Sequence, residues 1–299
     1  MTFGQKFAAI LSPATTVIAG LLFTAYTPPS TQRLRATGPT SLYVATNGID
    51  SSNDCQVQAT PCQTPQYALI RAMYDWDFAG RGDPYIRLAP GIYMNGGVWM
   101  GGQPLGAHTV NVVGAQSADE SCTLGQAQQV ILQTSSPTTI FDFEDLAIGV
   151  VRCLTVQGSG STGFSCRQTS ASDIAFVQFG GSIDLSGGGI SASDGCGINL
   201  SGTIWLGNNI GQFIAAANLS RVTIGNGVSI TAINPVNVTY FANSYQKAMI
   251  EFRGGVTING RIIPGAASMV WRGGTIMTNG LPIPGGVIQA DPNEPGYIY

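Results

Sequence analysis

The sequence predicts an all-β protein, a right-handed parallel β-helix capped by one N-terminal α-helix. Short aliphatic runs recur from residue 109 onward, and the 40 glycines are dispersed without a fixed period. Several runs alternate Ile, Val or Leu with polar residues, as residues 222–230 do, which places one face of each strand inward. Stacked coils bury such faces against their neighbours, and Asn or Gly suits the corners between strands.

Composition limits the classes of function. Hydrophobic residues make up 44% of the 299 residues, enough to form a real core. Only 10% of the residues are charged, and the net charge is −3 with 13 scattered basic residues. A protein that binds nucleic acid through its phosphates needs clustered Lys and Arg, so we expect no nucleic-acid partner.

The N-terminal residues 7–26 form an apolar segment after Lys6. Three interpretations remain open: an extended arm that docks on another protein, an uncleaved signal peptide, and a membrane helix. The arm is favoured, because polar residues and Pro13 interrupt the run, and no membrane partner is expected. Such an arm needs a partner to cover its apolar side chains. The expected docking residues are Ile18, Leu21, Leu22 and Phe23.

The chain is predicted to divide into three parts. Residues 1–40 are the apolar arm and a linker rich in Pro, Thr and Ser. Residues 41–280 form the β-helix domain, and residues 281–299 form a Pro/Gly-rich tail.

One helix is predicted over residues 64–79. Thr64 is suited to the N-cap and Pro65 to the first helical position, and Gly80 is a plausible stop. The apolar face consists of Ala68, Leu69, Ala72, Met73 and Trp76. This helix is suited to cap the first coil, and no second good helix is predicted after Thr109.

Residues 42–94 resemble the first turns of the pectate-lyase-like right-handed β-helix superfamily. The family pattern comprises a Y-V-x-x-x-G-x-D-x-x-x-D strand and loop, a capping helix, and a G-D-x-I-x-L-x-P-G-x-Y strand. The last of these reads G-D-P-Y-I-R-L-A-P-G-I-Y here. The matching positions are Gly48, Asp50, Gly82, Asp83, Ile86, Leu88, Pro90, Gly91 and Tyr93. Since this superfamily includes lyases, hydrolases, adhesins and phage tail proteins, the resemblance implies a fold and leaves the function open.

The order of arm, linker, single β-helix and tail resembles phage tail-fibre and tailspike proteins. That resemblance implies a homotrimer in the virion, held to other virion proteins by the N-terminal arm, with host surface polysaccharide as a candidate ligand. We therefore expect a bacteriophage virion structural protein for host-surface attachment or particle decoration. The alternatives are a polysaccharide depolymerase, lyase or glycosidase, on the same fold, and a secreted bacterial adhesin at the cell surface.

Candidates for catalysis are few. Asp142 and Glu144 share one face of a strand, and Arg152 follows nearby. Glycosidases need two carboxylates at the scissile bond, but a solvated surface patch is the favoured interpretation here. No cofactor and no metal are expected, since there is no C-x-x-C and His108 is the only histidine.

Aromatic and cysteine residues complete the candidates. Trp99, Trp205 and Trp271 could stack on sugar rings if exposed, although core positions are favoured for them. Cys55 and Cys62 share a polar loop and could form a disulfide. The other four cysteines, Cys122, Cys153, Cys166 and Cys196, are expected to be mostly buried free thiols.

Overall fold

The computed structural model describes residues 33–94, 97–114, 121–168, 170–289 and 296–299. Residues 35–299 belong to one compact unit. That unit is a parallel β-solenoid of about 8 turns, which confirms the predicted fold class.

The described residues contain two helices and 26 strands. The helices are α1 (Pro65–Asp75) and α2 (Leu124–Ala127). The strands are β1 (Leu34–Arg35), β2 (Thr40–Val44), β3 (Trp76–Asp77), β4 (Pro84–Leu88), β5 (Gly91–Met94), β6 (Val98–Gly101), β7 (Val110–Val113), β8 (Val130–Gln133), β9 (Thr139–Glu144), β10 (Ile148–Gln157), β11 (Thr162–Cys166), β12 (Ala171–Phe179), β13 (Gly188–Ala192), β14 (Gly197–Ser201), β15 (Thr203–Leu206), β16 (Ile210–Ala216), β17 (Arg221–Ile224), β18 (Ser229–Ala232), β19 (Val236–Tyr245), β20 (Met249–Phe252), β21 (Thr257–Asn259), β22 (Ile262–Pro264), β23 (Ser268–Trp271), β24 (Thr275–Met277), β25 (Val287–Gln289) and β26 (Tyr297–Ile298).

Two parallel sheets run along the solenoid. The first sheet has the order β2-β4-β7-β10-β12-β14-β17-β20-β24-β26, and the second has the order β25-β23-β19-β16-β13-β11-β9-β6. Strands β5, β8, β15, β18 and β21 join the first sheet beside its main path. One coil takes 23 residues from Ile148 to its partner Ala171, and 28 from Arg221 to its partner Met249.

The register of the paired strands stacks similar side chains on one another in the core. In the first sheet Val151 pairs with Ile174, Ile174 with Leu200, and Leu200 with Ile224. All four are fully buried. Phenylalanines form a second internal column, with centroid distances of 4.9 to 5.6 Å between successive rings; its members are Phe141, Phe164, Phe179, Phe213 and Phe241. Each coil therefore buries its apolar row against the next, as the alternation predicts.

The corners between the second and first sheets use left-handed backbone at residues 145–146, 218–219 and 246–247, where φ lies between +50° and +65°. Leu146 and Leu219 occupy this conformation, although Asn and Gly adopt it more readily. Each corner bonds to the next coil: Leu146 N–H donates to the Gln168 carbonyl, and Leu219 N–H to the Gln246 carbonyl. The stack imposes the corner, since an isolated leucine disfavours this backbone.

Helix α1 lies where the sequence predicts it. The Thr64 hydroxyl accepts from the Tyr67 N–H, and Ala68, Leu69 and Ala72 are buried. The helix ends at Asp75 rather than at 79, because Trp76–Asp77 is extended and the Asp77 carbonyl accepts from the Ala36 N–H. That α1 caps the solenoid stays a prediction.

The expectation of no further helix after Thr109 is wrong, because the chain forms one short helix there, α2. Thr123 and Gln126 form a reciprocal capping box around its start. Their T-x-x-Q spacing is a known signature of a helix start, so the sequence did carry a signal for this turn.

The structure describes part of the predicted C-terminal tail but none of the predicted docking residues of the N-terminal arm. The arm, with Ile18, Leu21, Leu22 and Phe23, lies outside the described residues. Within 281–299, strand β25 pairs with β23 and β26 with β24, so parts of the predicted tail extend the sheets. Among the described residues, no helix combines the length and apolarity needed to cross a membrane.

Three disulfides join all six cysteines, Cys55 to Cys62, Cys122 to Cys153, and Cys166 to Cys196. The expectation that the last four are free thiols is therefore wrong. Those pairs lie 31 and 30 residues apart in sequence, but adjacent coils bring their Cα atoms to 5.7 and 5.8 Å. Such distances are normal for a disulfide.

Candidate functional site

An ion cluster lies on the outer face of the second sheet. Asp142 and Glu144 occupy alternate positions of β9, and Arg167 follows β11, the next strand of that sheet. Arg167 Nη2 lies 2.8 Å from Asp142 Oδ2 and also contacts Glu144 Oε1. One guanidinium nitrogen thus holds both carboxylates.

The surroundings of Arg167 keep it charged. Burial by itself lowers the pKa of the guanidinium, but the hydrogen bond and charge of Asp142 raise it, and the charges of Glu144 and Asp194 add to this. The net shift of the Arg167 pKa is upward. The cluster is therefore a fixed ion triplet at any pH where the two acids are ionised.

Arg152 does not join this cluster. It lies on β10 in the first sheet, where its guanidinium is 3.9 Å from Asp173 Oδ2. The chain turns the corner at residues 145–146 between Glu144 and Arg152, which separates them onto different faces. The actual partner, Arg167, is 25 residues from Asp142, one coil away. The prediction chose Arg152 because it is close in sequence, but residues that are neighbours in space in this fold lie about one coil apart in the chain.

Trp99 extends the cluster on β6, where it pairs directly with Asp142. Its side chain is 53% exposed, and its Nε1–H donates to Glu144 Oε2 at 3.1 Å. The indole lies across Gly101: a Cβ there would come within 2.6 Å of the ring. Gln66 in α1 bonds the Trp99 backbone twice, accepting from its N–H at 2.8 Å and donating to its carbonyl. We call Trp99, Asp142, Glu144 and Arg167 the Trp99 platform.

The other two candidate tryptophans are less accessible. Trp205 is 8% exposed and packs in a small cluster with the Cys122–Cys153 disulfide. Trp271 is half-buried, meets Tyr245 edge-on, and carries the Arg272 guanidinium 4.8 Å above its ring. Of the three, Trp99 therefore offers the largest open aromatic surface.

A groove of about 550 Å³ crosses the outer face of the first sheet. Its lining includes Ile148, Asp173, Asn199, Arg221, Thr223 and Arg253. Asp173 accepts from Ser201 Oγ at 2.9 Å, and both arginines contact Glu251. The hydrogen bond from Arg221 lowers the pKa of Glu251, burial opposes this by raising it, and the positive charges of Arg221 and Arg253 lower it further, so that the net shift is downward. The charges of this groove are thus largely satisfied by one another.

No group of three or more His, Cys, Asp or Glu within the described ranges is arranged to hold a metal ion. His108 lies before β7 with a side chain that is 73% exposed. Its backbone N–H donates to Asp83 Oδ1 at 2.7 Å, and its imidazole Nδ1 lies 3.9 Å from the same oxygen.

Comparisons with known proteins give no match among family models, curated proteins or solved structures. The fold implied by the superfamily resemblance is present, but membership of that superfamily or of a tail-fibre family has no such support.

Proposed function

We propose that the protein is a structural protein of a bacteriophage particle, of tail-fibre or tailspike type, that attaches to a host surface or decorates the particle. The observation that carries the proposal is a continuous parallel stack, with uniformly paired coils and three disulfides. Such a stack suits a rigid support, because each coil is fixed by its neighbours.

The ion triplet supports binding rather than cleavage at the second sheet. A glycosidase needs two carboxylates separated by the scissile bond and its water. Arg167 Nη2 instead lies against both Asp142 and Glu144. A guanidinium in this position offsets one of the two negative charges and occupies the space between the acids.

The disulfides support a place outside the reducing cytoplasm. Disulfides persist on virion surfaces, on cell surfaces and in secreted proteins. They therefore also favour a second candidate, a secreted bacterial adhesin in which residues 7–26 are the signal segment. Both candidates place the solenoid at a surface that meets other molecules.

Quantitative mass spectrometry of purified particles tests the first candidate. We expect the chain in stoichiometric amount with other virion proteins, as a homotrimer on native analysis. Its absence from particles, together with secreted protein whose N-terminus begins near Thr27, would establish the adhesin instead.

An assay on bacterial capsule and on pectin tests the depolymerase alternative. We expect no release of reducing ends and no unsaturated product. Release that is lost in Asp142→Ala and Glu144→Ala would contradict the proposal and assign catalysis to these acids.

A further inference from the structure

We propose that the Trp99 platform binds one sugar ring of an uncharged glycan. This inference rests on the proposed attachment function and names its ligand class. The platform combines an open aromatic face with fixed hydrogen-bonding groups, which is the chemistry that recognises a pyranose: the ring C–H groups pack on the indole, and the hydroxyls bond to its polar neighbours.

The indole is held before any ligand arrives. One side of the ring lies against Gly101, where any side chain would collide with it. Its Nε1–H is bonded to Glu144, and its backbone is bonded to Gln66. With 53% of the residue exposed, the opposite face is open to solvent. Because the ring is already fixed, binding loses little side-chain freedom.

Donors and acceptors border this face. Glu144 supplies carboxylate oxygens, and the Arg167 side chain, 45% exposed, supplies N–H groups. A sugar hydroxyl is both a donor and an acceptor, so adjacent hydroxyls can bond to the carboxylate and to the guanidinium at once. The salt bridges fix the positions of these groups.

Charge selects the type of glycan. Two carboxylates face a single guanidinium, and Asp194 is near enough to act on the same arginine. The platform therefore carries net negative charge at neutral pH. A uronic or sialic acid would be repelled, whereas a neutral hexose meets no such penalty.

Titration calorimetry and tryptophan fluorescence of the full chain test the proposal. The probes are maltohexaose, cellohexaose and β-1,4-galactohexaose as neutral chains, and hexagalacturonate as the acidic chain. We expect at least one neutral chain to bind and to change the Trp99 emission, with no binding of hexagalacturonate. Trp99→Ala should weaken binding by about ten-fold or more, equivalent to ~1.4 kcal/mol, and Trp99→Phe should weaken it less.

Matched variants separate stacking from other effects. Tyr74→Ala removes an aromatic residue that is 51% exposed on α1, and it should leave binding unchanged. Asp142→Asn with Glu144→Gln removes the negative charge and should allow hexagalacturonate to bind. Light scattering of each variant should show an unchanged oligomeric state.

Three results would overturn the proposal: no neutral chain binds, Trp99→Ala binds as well as the parent, or Trp99→Ala alters only the oligomeric state. The last result would assign the platform to a protein interface. None of these bears on whether the chain is found in particles, so the platform and the attachment function fail separately.

Discussion

Asp50 accepts hydrogen bonds from both the backbone N–H and the hydroxyl of Thr64, at 3.0 and 2.7 Å. That hydroxyl in turn caps helix α1. Asp83 holds Thr109 in the same way, with 3.0 Å for both bonds. The two aspartates of the superfamily-like motif therefore fix the chain where α1 and β7 begin.

Replacing Asp50 should destabilise the fold measurably. Asp50→Ala removes the bonds to Thr64 and a third from the Gln63 N–H, and it leaves the cap without its support. We expect a loss of about 1–3 kcal/mol in the free energy of unfolding, measured with guanidinium chloride. The control is Asp54→Ala, whose carboxylate bonds, within the described residues, to Gln56 in its own turn. An equal loss in both variants would refute the role given to Asp50.

The sequence predicts the elements better than their pairing. Residues 84–88 alternate inward and outward side chains, a pattern that predicts a strand, and they form β4. Cys166 with Cys196 and Asp142 with Arg167 are missed, because each pair is one coil apart. Coil length varies from 19 residues between Ser268 and its partner Val287 to 44 residues between Thr40 and its partner Pro84, so no fixed period could identify these partners in advance.

The phenylalanine column should dominate core stability. Phe164 is fully buried, 4.9 Å from Phe141 and 5.6 Å from Phe179 between ring centroids. Phe164→Ala leaves a cavity between two coils and should cost about 3–5 kcal/mol on denaturant unfolding. Ile92→Ala, at a site that is 52% exposed, should change stability by less than about 0.5 kcal/mol. A similar loss of unfolding free energy in the two variants would mean that the phenylalanine column does not dominate the stability of the core.

Glu251 should make stability depend on pH in the acid range. Its pKa is lowered from the ordinary value of 4.5, first by the hydrogen bond from Arg221. A lowered pKa in the folded state means that the contribution is present above the ordinary value and is lost as pH falls through the folded value. Unfolding measured between about pH 2 and pH 7 should show a smaller acid loss for Glu251→Gln than for the parent. If the parent and Glu251→Gln lost stability identically with falling pH, the Arg221–Glu251 pair would contribute nothing to the free energy of unfolding.

The Cys122–Cys153 disulfide should control access to Trp205. It holds the segment that carries α2 against a small cluster that contains Trp205 and Phe176, outside the main core. Two further bonds hold this segment: Thr155 Oγ1 donates to the Ala127 carbonyl at 3.1 Å, and the Gly91 N–H donates to the Gln129 carbonyl just after α2 at 2.8 Å. Cys122→Ser with Cys153→Ser should therefore loosen the segment, move tryptophan emission to longer wavelength and increase quenching by acrylamide.

Two further variants identify the source of that change. Trp205→Phe in the same background should abolish the shift, because the other three tryptophans lie away from this cluster. Cys55→Ser with Cys62→Ser opens a disulfide near α1 and should leave Trp205 covered. A shift that persists without Trp205, or none on loss of Cys122 and Cys153, would mean that packing alone keeps the α2 segment in place. In that case the disulfide would stabilise the protein only by lowering the conformational entropy of the unfolded chain.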